Sequence, residues 1–181
     1  TRPDPSKEYY VIIYDSSNDS RVLSDIRDHY ANLVSQGFRE IIGIRDVYPQ
    51  PRADEATIRA DFARFVPAGP VTPQLALAVM EVEAWFIGEH THFPRLHPAL
   101  TLAAVTGALG YDPGTHDVQL IPHPADDLRT AYNLAALGYN KSRGHVQRTV
   151  QHLDYTSYYF SLRARIPDLG TLVASIDRFL S

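Results

Sequence analysis

The stretch "TPQLALAVMEVEAWFIGE", residues 72–89, changes character in its middle. Residues 75–80 are an unbroken apolar run of strand length. Glu81 and Glu83 follow, one residue apart, and lead into a segment that holds the only Trp of the chain, Trp85. A continuous apolar run bounded by Pro73 and by acids has the pattern of a strand buried on both faces, and such strands belong to parallel sheets covered by helices. Acids at its end would lie on the edge where open α/β sheets bind ligands.

The same pattern recurs upstream. "FREIIGIRD" (residues 38–46) predicts a strand through Ile41, Ile42 and Ile44 that ends at Asp46, and "ADEATIRADFARFV" (residues 53–66) predicts an amphipathic helix stopped by Pro67. "YYVIIYD" (residues 9–15) reads as a further doubly buried strand, ending at Asp15. The turn-rich "SSNDS" follows, with Asp19 and Ser20 as candidate N-caps, and Val22, Ile26, Tyr30, Leu33 and Val34 then recur at helical spacing until Gly37. Strand, helix, strand, helix, strand with short connections implies parallel neighbours joined by right-handed crossovers. The expected fold is therefore α/β, a mainly parallel sheet flanked by helices, over residues 1–90. Residues 91–181 are expected to be mostly helical and to pack on that core or cap its acidic edge. Gly110 is the C-cap of one helix there, Pro124 lies in the first turn of another that ends near Gly138, and Leu169, Leu172, Ile176 and Phe179 share a face of the last.

Composition narrows the chemistry. The 181 residues carry 13 Pro, 11 Tyr, no Cys and a formal charge of −4, so neither a disulfide framework nor a thiolate metal site can form. No stretch approaches the roughly 20 apolar residues of a membrane span, and "TRPDPSKEYY" lacks an apolar signal core, which makes a cytoplasmic location the default expectation. Mild acidity argues against a histone-like cationic binder but leaves room for a local basic groove.

All three predicted strands end in acid. If they are neighbours, Asp15, Asp46, Glu81 and Glu83 converge, and like charges raise each other's pKa unless a cation neutralises them. Oxygen-only ligands favour Mg²⁺ or Mn²⁺, and such a cluster suits phosphoryl transfer or phosphodiester hydrolysis. The competing reading is structural, because acids at helix starts cap helices and complement the dipole; Asp46 looks the most replaceable. Trp85 and Phe86 are expected in the core. His90 and His92 could approach zinc, but they lack a helical i, i+4 pair and fit hydrogen-bonded surface histidines better. A histidine near the carboxylates could instead serve as a general base. The run "NKSRGHVQRT" (residues 140–149) gathers Lys141, Arg143, His145 and Arg148 ahead of Tyr155, Tyr158 and Tyr159. That mix can grip a phosphate backbone and stack bases, or be a solvated helix start with tyrosines packed on the sheet. No glycine-rich phosphate loop and no serine nucleophile elbow occur.

"VIIYDSSND", "LAVMEVEAWFIGEH" and the late "LGYNKSRGHVQRTVQHLDYTSYYFSLRARIPDLGTLVASIDRFL" together resemble a bacterial Toprim-like family that has an acidic strand end, an E-x-E-A-W segment and a Y-x-K element before a helical tail. That family is related to the Toprim nuclease branch of overcoming-lysogenization-defect proteins. The resemblance implies a Rossmann-like Toprim core and Mg²⁺- or Mn²⁺-dependent cleavage of nucleic acid, in phage defence or DNA maintenance, plausibly beside an AAA-type ATPase. It assigns metal binding to Asp15, Asp19, Glu81 and Glu83, and catalytic roles to Glu83 and Lys141, with Lys141 stabilising charge on the scissile phosphate. Ser17 stands where the second Asp of the family's Asp-x-Asp pair is expected and could assist through water; Asp46 is a further assisting candidate. Arg143, His145 and Arg148 would contact nucleic acid. The early glutamate of the Toprim pattern has no counterpart before Tyr9, so the first βα unit is expected to be missing from this chain. The alternative class is a catalytically degenerate Toprim-like binding or regulatory module that partners an ATPase.

Overall fold

A computed structural model describes Ser6 and residues 8–181. After a 3₁₀ turn at Asp19–Arg21, α1 (Val22–Ser35) leads to β1 (Ile42–Asp46), α2 (Glu55–Phe65) to β2 (Gln74–Ala78), and β2 to the short α3 (Glu83–Gly88). Then follow α4 (His92–Leu96), α5 (Leu102–Leu109), α6 (Pro124–Asn133) and α7 (Arg143–Val150). Next, α8 (Tyr155–Ser157), a π-helical turn (Tyr158–Leu162) and α9 (Arg163–Arg165) run together before α10 (Pro167–Leu180). No helix among the described residues is long and apolar enough to cross a membrane.

β1 and β2 pair in parallel, Ile42 opposite Gln74 through Asp46 opposite Ala78, as the crossover through α2 demands. The protein is thus α/β, with a two-stranded parallel sheet flanked by helices. On one side α1 and α2 bury Val22, Ile26, Ile41 and Phe62. Gly43 permits this approach: a Cβ there would lie 2.7 Å from Val22 Cγ1 and 2.9 Å from Ile26 Cδ1. The larger core holds Ala76 and Ala78 of β2 with Trp85, Phe86, Phe93, Leu128, Tyr132 and residues as late as Val173, so it runs without a break across residue 90. Each fully buried Leu or Phe there contributes ~1.5–3 kcal/mol. α10 packs along β2, and Asp168 in its first turn accepts the Leu77 N–H at 2.9 Å while Arg59 of α2 clamps both its oxygens at 2.9 and 2.6 Å. That carboxylate closes the outer edge of β2.

Several expectations are corrected. Residues 9–15 form no strand, and Tyr10 is 77% and Ile13 93% exposed. β-propensity measures fit to a pleated, half-buried surface, and no strand among the described residues pairs with this segment. Tyr9 meets Phe179 and Tyr14 meets His29 instead. The N-cap of the first helical turn is Asn18, whose side chain accepts the Ser20 N–H, rather than Asp19 or Ser20. α6 stops at Asn133, earlier than Gly138. On α10 the buried face carries Leu169 and Val173, while Ile176 is 37% exposed. Gly37 and Gly110 end their helices with positive φ, and Trp85 and Phe86 are buried, all as expected.

Candidate carboxylate–lysine site

The site lies beyond the carboxyl ends of β1 and β2. Asp46 ends β1; Glu81 follows β2, and Glu83 opens α3. Asp46 ties the two segments together: its backbone N–H donates to Asp19 Oδ1 at 2.7 Å, and its own Oδ1 accepts the Val82 N–H at 3.0 Å. Asp46 is thus not replaceable as a mere cap: it stands between the 3₁₀ turn and the start of α3.

The C-terminal half supplies the rest. Lys141, in the loop between α6 and α7, places Nζ 2.6 Å from Glu81 Oε1 and 3.4 Å from Glu83 Oε2. The Ala125 N–H in the first turn of α6 donates to Glu81 Oε2 at 2.9 Å, so Glu81 also complements that helix dipole. Tyr139 donates its hydroxyl to Glu83 Oε1 at 2.7 Å. Tyr139 is the site residue that sequence reasoning passed over, although the Y-x-K element contains it. Met80 (φ 65°) and Lys141 (φ 59°) both hold left-handed backbone, one on each side of the Glu81–Lys141 ion pair. Such conformations cost non-glycine residues about 1–2 kcal/mol and gather at functional sites.

Electrostatics follow from burial. Glu81 is 6% and Glu83 2% exposed. Burial, with the nearby charges of Asp19 and Glu83, pushes the Asp46 carboxyl up to about 7 against the opposing pull of Lys141 and the Val82 N–H. Burial works against the Lys141 charge, but the hydrogen bond to Glu81 and the Glu83, Glu81 and Asp46 charges outweigh it and raise its pKa. Burial and the bond to Glu83 likewise raise the Tyr139 hydroxyl, which stays a donor.

The remaining candidates are placed as follows. Asp15 is exposed and accepts the Ser17 N–H at 2.8 Å, with Ser17 in left-handed backbone (φ 60°). Among the described residues no hydrogen bond or ion pair joins Asp15 or Ser17 to Glu81 or Glu83. Arg143 is exposed at the start of α7. His145 accepts the Asn140 N–H at 3.2 Å and stacks on Tyr139, and Arg148 turns inward to the Leu137 and Gly138 carbonyls and over the Tyr132 ring. His92 is not a surface residue: it is fully buried, with Nε2 2.9 Å from the Tyr132 hydroxyl, and burial pushes its pKa down to about 4. It is therefore neutral, and its 4.0 Å approach to Glu89 is no ion pair.

A divalent cation needs spare lone pairs. Glu83 Oε2 is buried and accepts no hydrogen bond, and the Asp46 carboxyl is disfavoured as an anion chiefly by burial and then by the Asp19 charge. Both Glu81 oxygens, by contrast, are already engaged by Lys141 and Ala125. Among the described residues no group of three or more His, Asp or Glu side chains is arranged to hold a metal as it stands. No family model, curated protein or solved structure matches the chain.

Proposed function

We propose that the protein is a divalent-metal-dependent phosphodiesterase acting on nucleic acid, of Toprim-like type. One observation carries this reading: beyond the carboxyl ends of parallel strands, where strand-ending Asp46 holds the Val82 N–H, buried Glu83 lies 3.4 Å from Lys141 with one of its oxygens left without a hydrogen bond. Structural carboxylates are usually saturated with donors. Asp46 and Glu83 would hold Mg²⁺ or Mn²⁺, Asp19 would support Asp46 from the rim, and Tyr139 would orient Glu83. When bound, such an ion activates water and neutralises charge on the phosphoryl oxygens. Lys141 adds positive charge to a non-bridging phosphate oxygen, and exposed Arg143 lies two residues on, where a backbone phosphate would pass.

The test is cleavage. Full-length protein with Mg²⁺ or Mn²⁺ should nick plasmid or degrade single strands, and Glu83→Gln should abolish this while the fold persists. Cleavage that survives the substitution would refute the assignment. The second reading, a degenerate Toprim-like module serving an ATPase, draws support from the full engagement of Glu81. It expects no turnover under any metal, with an ATPase co-purifying.

A further inference from the structure

The two edges of the sheet are finished differently. On β2 the outward Leu77 N–H is held by Asp168, whereas β1 has no second neighbour among the described residues. A parallel ladder turns alternate residues of a strand to opposite sides. The Gln74 N–H donates to the Ile41 carbonyl and the Val47 N–H to that of Ala78, so the odd-numbered residues of β1 face β2, and Ile42, Ile44 and Asp46 face outward. The Asp46 N–H has Asp19 Oδ1 at 2.7 Å; among the described residues no acceptor meets the N–H of Ile42 or of Ile44. The uncharged run of residues 9–14 is tied to both ends of this open edge. The Tyr10 ring lies 6.2 Å from Phe38, just before β1, and Asp19, just after the run, holds Asp46. Between those ties five successive side chains, residues 10–14, are exposed by 51% at Ile12 to 93% at Ile13, and Ile44 on the edge itself is 48% exposed.

We propose that the open edge of β1 and residues 9–14 form a self-association surface whose occupant is a second copy of the chain: the run of each copy pairs with the β1 edge of the other. An exposed strand edge beside an uncharged β-branched and aromatic run is a combination that proteins cover. The chain's own run does not take the seat, being held at Tyr9 by the Leu180 carbonyl of α10 at 3.1 Å and at Tyr14 by His29 of α1. Each chain thus carries one unpaired edge and one unpaired run, and a twofold exchange closes both at once. A foreign strand on β1 would leave the run in water. No charged residue lies within residues 9–14, so two copies meet there without repulsion. The six apolar side chains, each exposing on the order of 100 Å², reach the ~600 Å² per partner at which stable interfaces begin. The proposal does not depend on the metal reading.

The experiment is sedimentation velocity of the full chain at tens of micromolar, combined with amide hydrogen exchange, on wild type, Val11→Lys and Ile13→Lys. Wild type should sediment with twice the mass of one chain. Either lysine should return it to the single-chain mass with an unchanged circular dichroism spectrum, since both side chains are exposed. The Ile42 and Ile44 amides should exchange at least ~10-fold faster in the variants than in the wild-type dimer. A wild type that stays single, or a dimer indifferent to both lysines, overturns the proposal. A single chain in which those two amides are nonetheless protected would put the chain's own run in the seat, and overturns it equally. Should the variants not fold, dilution of wild type decides: protection of the two amides should be lost as the dimer dissociates, and protection that does not change contradicts the proposal.

Discussion

Glu83 and Glu89 bracket the same short helix, and both are buried, at 2% and 1% exposure. Their surroundings differ. Glu89 is saturated: Oε1 accepts from the Thr91 N–H and hydroxyl, and Oε2 from Arg95 and the Asp154 N–H, both at 3.0 Å. It fastens α3 to α4 and to the start of α8. Glu83 has the Tyr139 hydroxyl on one oxygen and only a lysine at 3.4 Å on the other. Burial alone does not tell the two carboxylates apart; satisfaction does, because a buried charge short of donors is costly.

The contrast can be broken most directly by exchanging the two roles. Glu83→Gln should reduce metal-dependent cleavage at least ~100-fold yet change stability by less than about 1 kcal/mol, since Gln still accepts from Tyr139 and Lys141 keeps Glu81. A large loss of stability in urea denaturation would place Glu83 with Glu89. Glu89→Ala should do the opposite, costing about 3 kcal/mol by leaving the Thr91 and Asp154 N–H groups without an acceptor; a chain that melts like wild type would dissolve the distinction. Asp168, another saturated buried acid, sharpens it. Asp168→Ala should cost about 2 kcal/mol by freeing the Leu77 N–H and Arg59, with Mn²⁺ affinity unchanged.

The smallest effect is a pH dependence. The Asp46 carboxyl is raised to about 7 in the folded chain, so the folded state holds a proton that the unfolded state releases near pH 4. Its contribution is fully present below the unfolded value and is lost as pH rises through 7. Asp46→Asn should remove that slope and leave the variant more stable than wild type at pH 8. Parallel stability–pH curves for the two would contradict it.

The sequence made much of this fold legible. β1 and β2 announce themselves as apolar runs and α1 and α2 by helical period, and their order implies parallel pairing. Residues 9–15 misled because an apolar β-branched run reports only a capacity to pair, and the neighbour is a tertiary fact. Glu81, Glu83 and Lys141 could be singled out from the E-x-E-A-W and Y-x-K segments. Asp46 is legible only as an assisting candidate, since an acid at a strand end looks the same whether it caps a helix or faces other charges. Tyr139 was hidden because tyrosines that pack and tyrosines that orient a carboxylate share one letter. His92 reads as a surface histidine until Tyr132, forty residues away in sequence, is seen to close over it.

Calorimetric titration of Mn²⁺ into the full chain at pH 8 tests the central claim, that Asp46 and Glu83 together form a divalent-cation site. Saturable binding is expected in wild type, strongly weakened in both Asp46→Asn and Glu83→Gln and retained in Asp168→Ala. Binding that is absent from wild type, or indifferent to the first two substitutions, would contradict it.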